Sequence, residues 1–142
     1  MQSSFSHDQD DFWSAPQHFD AIRTPLVNLL ASSTALSANS IIPAITSFAD
    51  AVSASQDNLK TLNTSIMALL KHEDDSVRLA AVQCERAVTQ HLAFDWLNLL
   101  PEMLPVISEL LEDDNEEVER ECLAWVREIE GVTGESLEGM LS

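Results

Sequence analysis

Apolar residues recur along the chain at the spacing of helices that bury one face, and they do so twice in the same register. Leu59, Leu62, Ile66, Leu69 and Leu70 form one stripe, and Val77, Ala81, Cys84 and Val88 form the next. At an offset of 41 residues stand Leu100, Met103, Ile107, Leu110 and Leu111, then Val118, Cys122, Trp125 and Ile129. Steps of three and four residues match the 3.6-residue turn of an amphipathic helix. Each set therefore predicts two helices. The turns between them are polar and acidic: His72-Glu73-Asp74-Asp75 in the first set and Glu112-Asp113-Asp114-Asn115-Glu116-Glu117 in the second.

A looser copy precedes these two. Ile22, Leu26, Leu29 and Leu30 match the first-helix stripe at an offset of 40, and Ile41, Ile45, Phe48 and Val52 match the second-helix stripe at an offset of 36. The difference is absorbed in a Ser/Ala/Thr-rich loop, Ser32–Asn39, because loops tolerate length changes that packed faces do not. Asn39 or Ser40 would cap the helix after it, and Asp57 the one after that. Pro25 either kinks the first helix or begins a fresh turn capped by Thr24, and Pro105 repeats the feature in the third pair. Gly131 suits a left-handed C-terminal cap. A period of about 41 residues carrying two helices is the mark of HEAT-type repeats. The expected fold is all-α, a HEAT-like α-solenoid of three helix pairs, about 18–55, 57–92 and 94–130. Residues 1–17, with Phe5, Phe12 and Trp13, read as a poorly ordered segment or a remnant of a preceding repeat. Residues 133–141 read as a short capping helix whose Leu137, Met140 and Leu141 cover the last pair, since a repeat buries its face only against a neighbour. The pattern is that of a solenoid end, open at the front and closed at the back.

Charge narrows the possible partners. With 24 acidic residues against 7 basic ones, the net charge is −17. Nucleic-acid affinity comes mostly from Lys and Arg on phosphates, so direct nucleic-acid binding by this segment is not expected. A basic protein surface is the natural complement. No run of 18 apolar residues exists to span a membrane, and the polar N-terminus lacks the layout of a signal peptide.

Catalytic chemistry has no visible seat. His7, His18, His72 and His91 lack metal-ligand spacing, and neither a glycine-rich phosphate loop nor a nucleophile elbow occurs. No acid sits in an obviously apolar pocket that would raise its pKa. The expectation is no enzyme activity, no cofactor and no metal. Cys84 and Cys122 lie on apolar stripes as small buried hydrophobes. The run Glu112–Glu117 lacks the glycine of a calcium loop. It reads first as a solvated turn whose acids favour the next helix N-terminus. Asp113, Asp114, Glu116 and Glu117 are nevertheless the candidate protein-contact residues. Trp96, near a pair boundary, either packs between repeats, the reading its position favours, or stands half exposed, which would make it a candidate interface anchor. Lys71, Arg78 and Arg86 are expected to pair with the acidic turns.

Four motifs add a family resemblance. They are Leu100-Pro101, the acidic turn Glu109-Leu110-Leu111-Glu112-Asp113, the helix opening Glu116–Glu119 with Cys122, and the tail Gly134–Leu137. Together with Asp74–Ala81 and Phe19–Leu30, they resemble the C-terminal region of the large HEAT-repeat subunit of the small-subunit processome. This is the U-three small nucleolar RNA-associated protein ten family, called HEAT repeat-containing protein one in animals. The resemblance covers roughly residues 18–142. It implies a non-enzymatic scaffold module of the nucleus and nucleolus. Its role would be processome assembly, pre-18S rRNA processing and, in some organisms, rDNA transcription. Its partners would be other processome proteins, with self-association conceivable through the open N-terminal edge. The alternative is an acidic HEAT-type adaptor that recognises basic peptide segments.

Overall fold

The computed structural model describes residues 16–32 and 35–141, and all of its regular structure is helical. The segment carrying Phe5, His7, Phe12 and Trp13 lies outside the described residues. In chain order the helices are α1 (Pro16–Ser32), α2 (Ala35–Ala51), α3 (Gln56–Leu70), α4 (Asp75–Leu92), α5 (Phe94–Leu97), α6 (Leu100–Leu110), α7 (Glu116–Thr133) and α8 (Glu138–Leu141). α3 touches both α1 and α6, while α4 touches both α2 and α7. The helices thus form two layers, α1–α3–α6 and α2–α4–α7, with the apolar stripes between them.

The 41-residue register is visible at the level of single hydrogen bonds. Asp74 caps α4 by accepting from the Ser76 N–H, and Asn115, its counterpart, caps α7 by accepting from the Glu117 and Val118 N–H groups. One step earlier, His72 Nδ1 accepts from the Asp74 N–H, and Asp113 Oδ1 accepts from the Asn115 N–H. Both acidic turns therefore satisfy the free donors of a helix N-terminus in the same way.

Several boundaries differ from the sequence expectation. α2 runs through Asn39 and Ser40, so neither caps it; Ala38, buried inside that helix, supplies packing that outweighs their capping preference. Ser55 rather than Asp57 caps α3, accepting from the Asn58 N–H at 3.2 Å. Pro25 lies within a single helix, so Thr24 starts no new one. The left-handed cap is Gly134 (φ 75°), whose N–H donates to Glu130 O; α7 continues through Gly131.

The predicted stripes of α3, α4 and α7 are the core: Leu59, Leu62, Ile66, Ala81, Cys84, Val88, Cys122, Trp125 and Ile129 are all inaccessible to solvent. α1 departs from the pattern. Its buried face is Phe19, Val27 and Leu30, with Leu26 partly covered. Phe19 stacks on Phe48 at 5.4 Å. Packing through Phe19 rotates the helix so that Ile22 and Leu29, two members of the expected stripe, face solvent.

Among the described residues, one is strained. Ala93, between α4 and α5, has φ 50° and ψ −120°, a region that glycine occupies readily and an L side chain does not. Its carbonyl accepts from the Trp96 and Leu97 N–H groups, so the sharp reversal also starts α5. Ala93→Gly is expected to raise stability by about 1 kcal/mol, measured by urea unfolding; a loss of stability would contradict the strain.

Candidate functional site

The two acidic turns join into one edge. Asn115 Nδ2 donates to Asp75 Oδ2 at 2.8 Å, tying the turn before α7 to the first residue of α4. Arg78 of α4 holds Asp113 with both forks, Nε to Oδ2 at 2.9 Å and Nη2 to Oδ1 at 3.0 Å, and its Nη1 also donates to the carbonyls of His72 and Glu73. Burial alone would raise the Asp113 carboxyl. The guanidinium and the Asn115 N–H outweigh it and hold the group below the usual carboxylate range. Asp113 is therefore a joint between the second and third pairs rather than a free contact residue. Asp114, Glu116 and Glu117 remain exposed, with Glu73, Asp74 and Asp75 alongside.

Two further basic residues of the second pair serve that same joint, whereas Lys71, expected to pair with an acidic turn, forms no ion pair among the described residues. Lys60 reaches Glu102 at 3.4 Å. Arg86 of α4 donates to Glu128 at 2.8 Å and to Glu121 at 2.6 Å, both on α7. As expected, Arg78 pairs with an acidic turn. Arg86 instead pairs with acids along the helix, seven residues apart, which places them on one face.

Trp96 takes the packed alternative and is no interface anchor. It is 0% exposed, and its Nε1–H donates to Glu85 Oε1 at 3.0 Å. Its indole is driven inward because it has a buried partner for its polar edge. Among the described residues the exposed aromatic is Phe94, two residues earlier and 60% accessible. Sequence gave no sign of this, because both residues sit in a four-residue helix too short to show a period.

Glu85 is the second correction, because it is an acid in an apolar pocket. It is 0% exposed. Asn63 of α3 meets it from one side, its amide 2.7 Å from Oε2 when the NH2 group faces the carboxylate. Trp96 of α5 meets it from another. Burial raises its pKa to about 8, against the opposing pull of the Trp96 N–H. At that value the carboxyl is mostly neutral at pH 7, and its own proton can be donated to the Asn63 amide oxygen when that amide is turned the other way. A turn further along α4, Thr89 Oγ1–H donates to the Glu85 carbonyl at 2.7 Å and accepts from Trp125 Nε1–H at 3.0 Å. Asn63, Glu85, Thr89 and the two tryptophans thus form a buried polar seam linking α3, α4, α5 and α7. The seam is closed to solvent, and its polar groups are used up by one another.

Cys84 and Cys122 are buried free thiols, as expected. Burial pushes Cys122 up to about 12 and Cys84 well above its ordinary value. Neither is a thiolate near neutrality. A groove of ≈ 420 Å³ between α3 and α6 is floored by Met67, Ala68, Pro105 and Val106, with Lys71 at its rim. Among the described residues, no group of three His, Cys, Asp or Glu side chains could hold a metal ion, and no helix is long and apolar enough to cross a membrane.

No family model matches the chain. Curated relatives do. A protein of Phaeosphaeria nodorum is 53% identical over 142 residues, covering 99% of this chain and 8% of the relative. One from Emericella nidulans is 45% identical over 166 aligned positions, covering 100% and 9%. A third, from Coccidioides immitis, is 46% identical over 155 positions, covering 100% and 8%. Each is named U3 small nucleolar RNA-associated protein 10. The chain thus spans less than a tenth of the length of the relatives it matches.

Proposed function

Because the chain belongs to the U3 small nucleolar RNA-associated protein 10 family, a nucleolar family of ribosome biogenesis, we propose that it is a non-enzymatic scaffold module. It corresponds to the family's C-terminal region. In this reading the helix pairs are HEAT-like repeats of a long α-solenoid. They hold other proteins of the small-subunit processome during assembly and pre-18S rRNA processing. The observation that carries the reading is where the polar groups go. Glu85, Thr89, Arg78 and Arg86 are engaged in joining the second helix pair to the third, and Asn63 in joining the two helices of the second, while the exposed surface is left acidic. Such a surface repels phosphate backbones and suits contacts with protein.

The merging of two acidic turns by the Asn115–Asp75 bond also favours a narrower reading, in which that edge receives a basic segment of a partner. Asp114→Asn, Glu116→Gln and Glu117→Gln separate the two, because they discharge the edge while leaving the Asp113–Arg78 joint intact. In the full-length protein, recovery of processome subunits with the triple variant is expected to stay within about twofold of the unaltered protein if shape governs the contact. Loss of about tenfold, reproduced in the unaltered protein by raising salt, would assign the contact to the acidic edge instead.

A further inference from the structure

α7 rests on one face of α4, and the 41-residue register identifies the matching face of α7. On α4 that face holds Arg78, Val82, Arg86 and Thr89. Arg78 grips Asp113, Arg86 grips Glu121 and Glu128, and Thr89 receives the Trp125 N–H. Val82, in the middle, is 0% exposed. The counterparts on α7 are Glu119, Leu123, Arg127 and Glu130. Here, among the described residues, only Glu130 at the end of the face is engaged, by the Leu137 N–H of the tail: Leu123 is 41% exposed, and Glu119, Arg127 and the adjacent Arg120 are exposed. The closing tail does not take the place of a further helix pair, because α8 packs on α6, where Ser108 Oγ–H donates to the Leu141 carbonyl.

The two positions that matter most on α4 keep their chemistry on α7. An aliphatic side chain stands at the centre, and an arginine follows one turn later. In a chain of net charge −17, Arg23, Lys60, Arg78 and Arg86 are each held by an acid of the same chain. Arg120 and Arg127 form no ion pair among the described residues, as is also true of Lys71, which lies away from this face beside the groove between α3 and α6. We infer that the outer face of α7 docks an amphipathic helix of another protein, carrying acids seven residues apart that receive Arg127 and an apolar side chain that covers Leu123. The partner repeats what α7 does to α4 with Glu121 and Glu128. A second copy of the chain is a poor occupant, because two bodies of this charge repel. The inference rests on the reading of the chain as a protein-contacting module, and it names the surface and the kind of partner.

The test uses the full-length protein in cells, with a benzophenone amino acid at position 123 and mass-spectrometric identification of the cross-linked peptide. The expected product is a single acidic helical segment of another protein, with Asp or Glu residues seven apart. Its yield should fall about tenfold with Arg127→Glu and return when the facing acid is changed to Lys. Arg127→Gln is the milder companion, and unaltered melting of both variants shows that the fold is intact. Cross-links to a second copy, to nucleic acid or to a basic segment overturn the inference, as does the absence of any product. The same probe at Asp114 and Phe94 separates two kinds of failure. Protein products there with none at 123 remove this surface alone, whereas none at any position removes the protein-contact reading as well.

Discussion

Stability is expected to fall steadily as pH rises from about 5 to 8, the reverse of what an acidic protein with paired carboxylates shows. The cause is Glu85. Its folded pKa of about 8 lies above the ordinary value of 4.5 because burial disfavours the charged form, and the Trp96 N–H only partly offsets this. Between those two values the unfolded chain has lost the proton and the folded chain keeps it. The contribution is thus fully present below pH 4.5 and is lost as pH rises through about 8. The slope is about 1.4 kcal/mol per pH unit, close to 5 kcal/mol across the window. That is comparable to the whole stability of a small domain. Asp113 acts in the opposite sense, since its depressed pKa removes stability only as pH falls into the acid range. The buried thiols add to the alkaline loss only above their ordinary value of 9. Urea unfolding at pH 5, 6, 7 and 8 therefore reads Glu85 with little interference from these groups.

Glu85→Gln sharpens the expectation. A glutamine resembles the neutral acid: its oxygen can accept from Trp96, and its NH2 can donate to the Asn63 amide oxygen after that group turns. The variant is expected to unfold with much less pH dependence and to exceed the unaltered protein in stability at pH 8 by a few kcal/mol. A flat profile in the unaltered protein would show that Glu85 is ionised and well solvated, and would remove the neutral seam from the account. Glu85→Ala separates packing from charge. It leaves Asn63 and the Trp96 N–H buried without a partner, and should cost about 3 kcal/mol at pH 5.

Glu85 also marks the boundary of what the sequence could reveal. Its repeat counterpart is Val126, so an offset comparison places an apolar residue opposite an acid and suggests only that position 85 is surface-tolerant. Nothing local signals that Asn63 and Trp96, 22 residues before it and 11 after, converge on its carboxylate. The all-helical class was legible because Leu62/Met103, Ile66/Ile107 and Val88/Ile129 repeat a spacing that burial demands, and both members of each pair are indeed buried. Trp96 was left between two readings for a related reason. An indole beside a helix break can face either way, and only the buried carboxylate decides. Asp113 and Asp114 look alike in a run of acids, yet one is a bidentate partner of Arg78 and the other is exposed, because the first sits at the position that also caps the turn. Acidity along the chain was readable, but how it divides between joints and free surface depends on contacts between residues about 35 to 42 positions apart.

Removing the tail should be the next most costly change, and its effect should come almost entirely from one side chain. Leu137 is 0% exposed, whereas Met140, also expected to cover the last pair, is 42% accessible. Gly134 makes the reversal possible through its positive φ, after which the Leu137 N–H donates to Glu130 Oε2 at 2.8 Å and brings the side chain inward. The Leu137 carbonyl then accepts from the Met140 and Leu141 N–H groups, and Ser108 holds the end of the tail against α6. Leu137→Ala is expected to cost about 3 kcal/mol, as removal of a buried leucine does when the site cannot collapse. In a domain of this size that lowers the melting temperature by roughly 10 °C. Met140→Ala should change it by less than about 2 °C. Truncation after Ser136 should cost at least as much as Leu137→Ala, and should promote association through the α6 surface it uncovers. Equal small effects from Leu137→Ala and Met140→Ala would mean that the tail does not close the first-helix layer. A large loss for Leu137→Ala alone would identify that one leucine, anchored by Glu130, as the contact by which the chain covers α6 while leaving the outer face of α7 open.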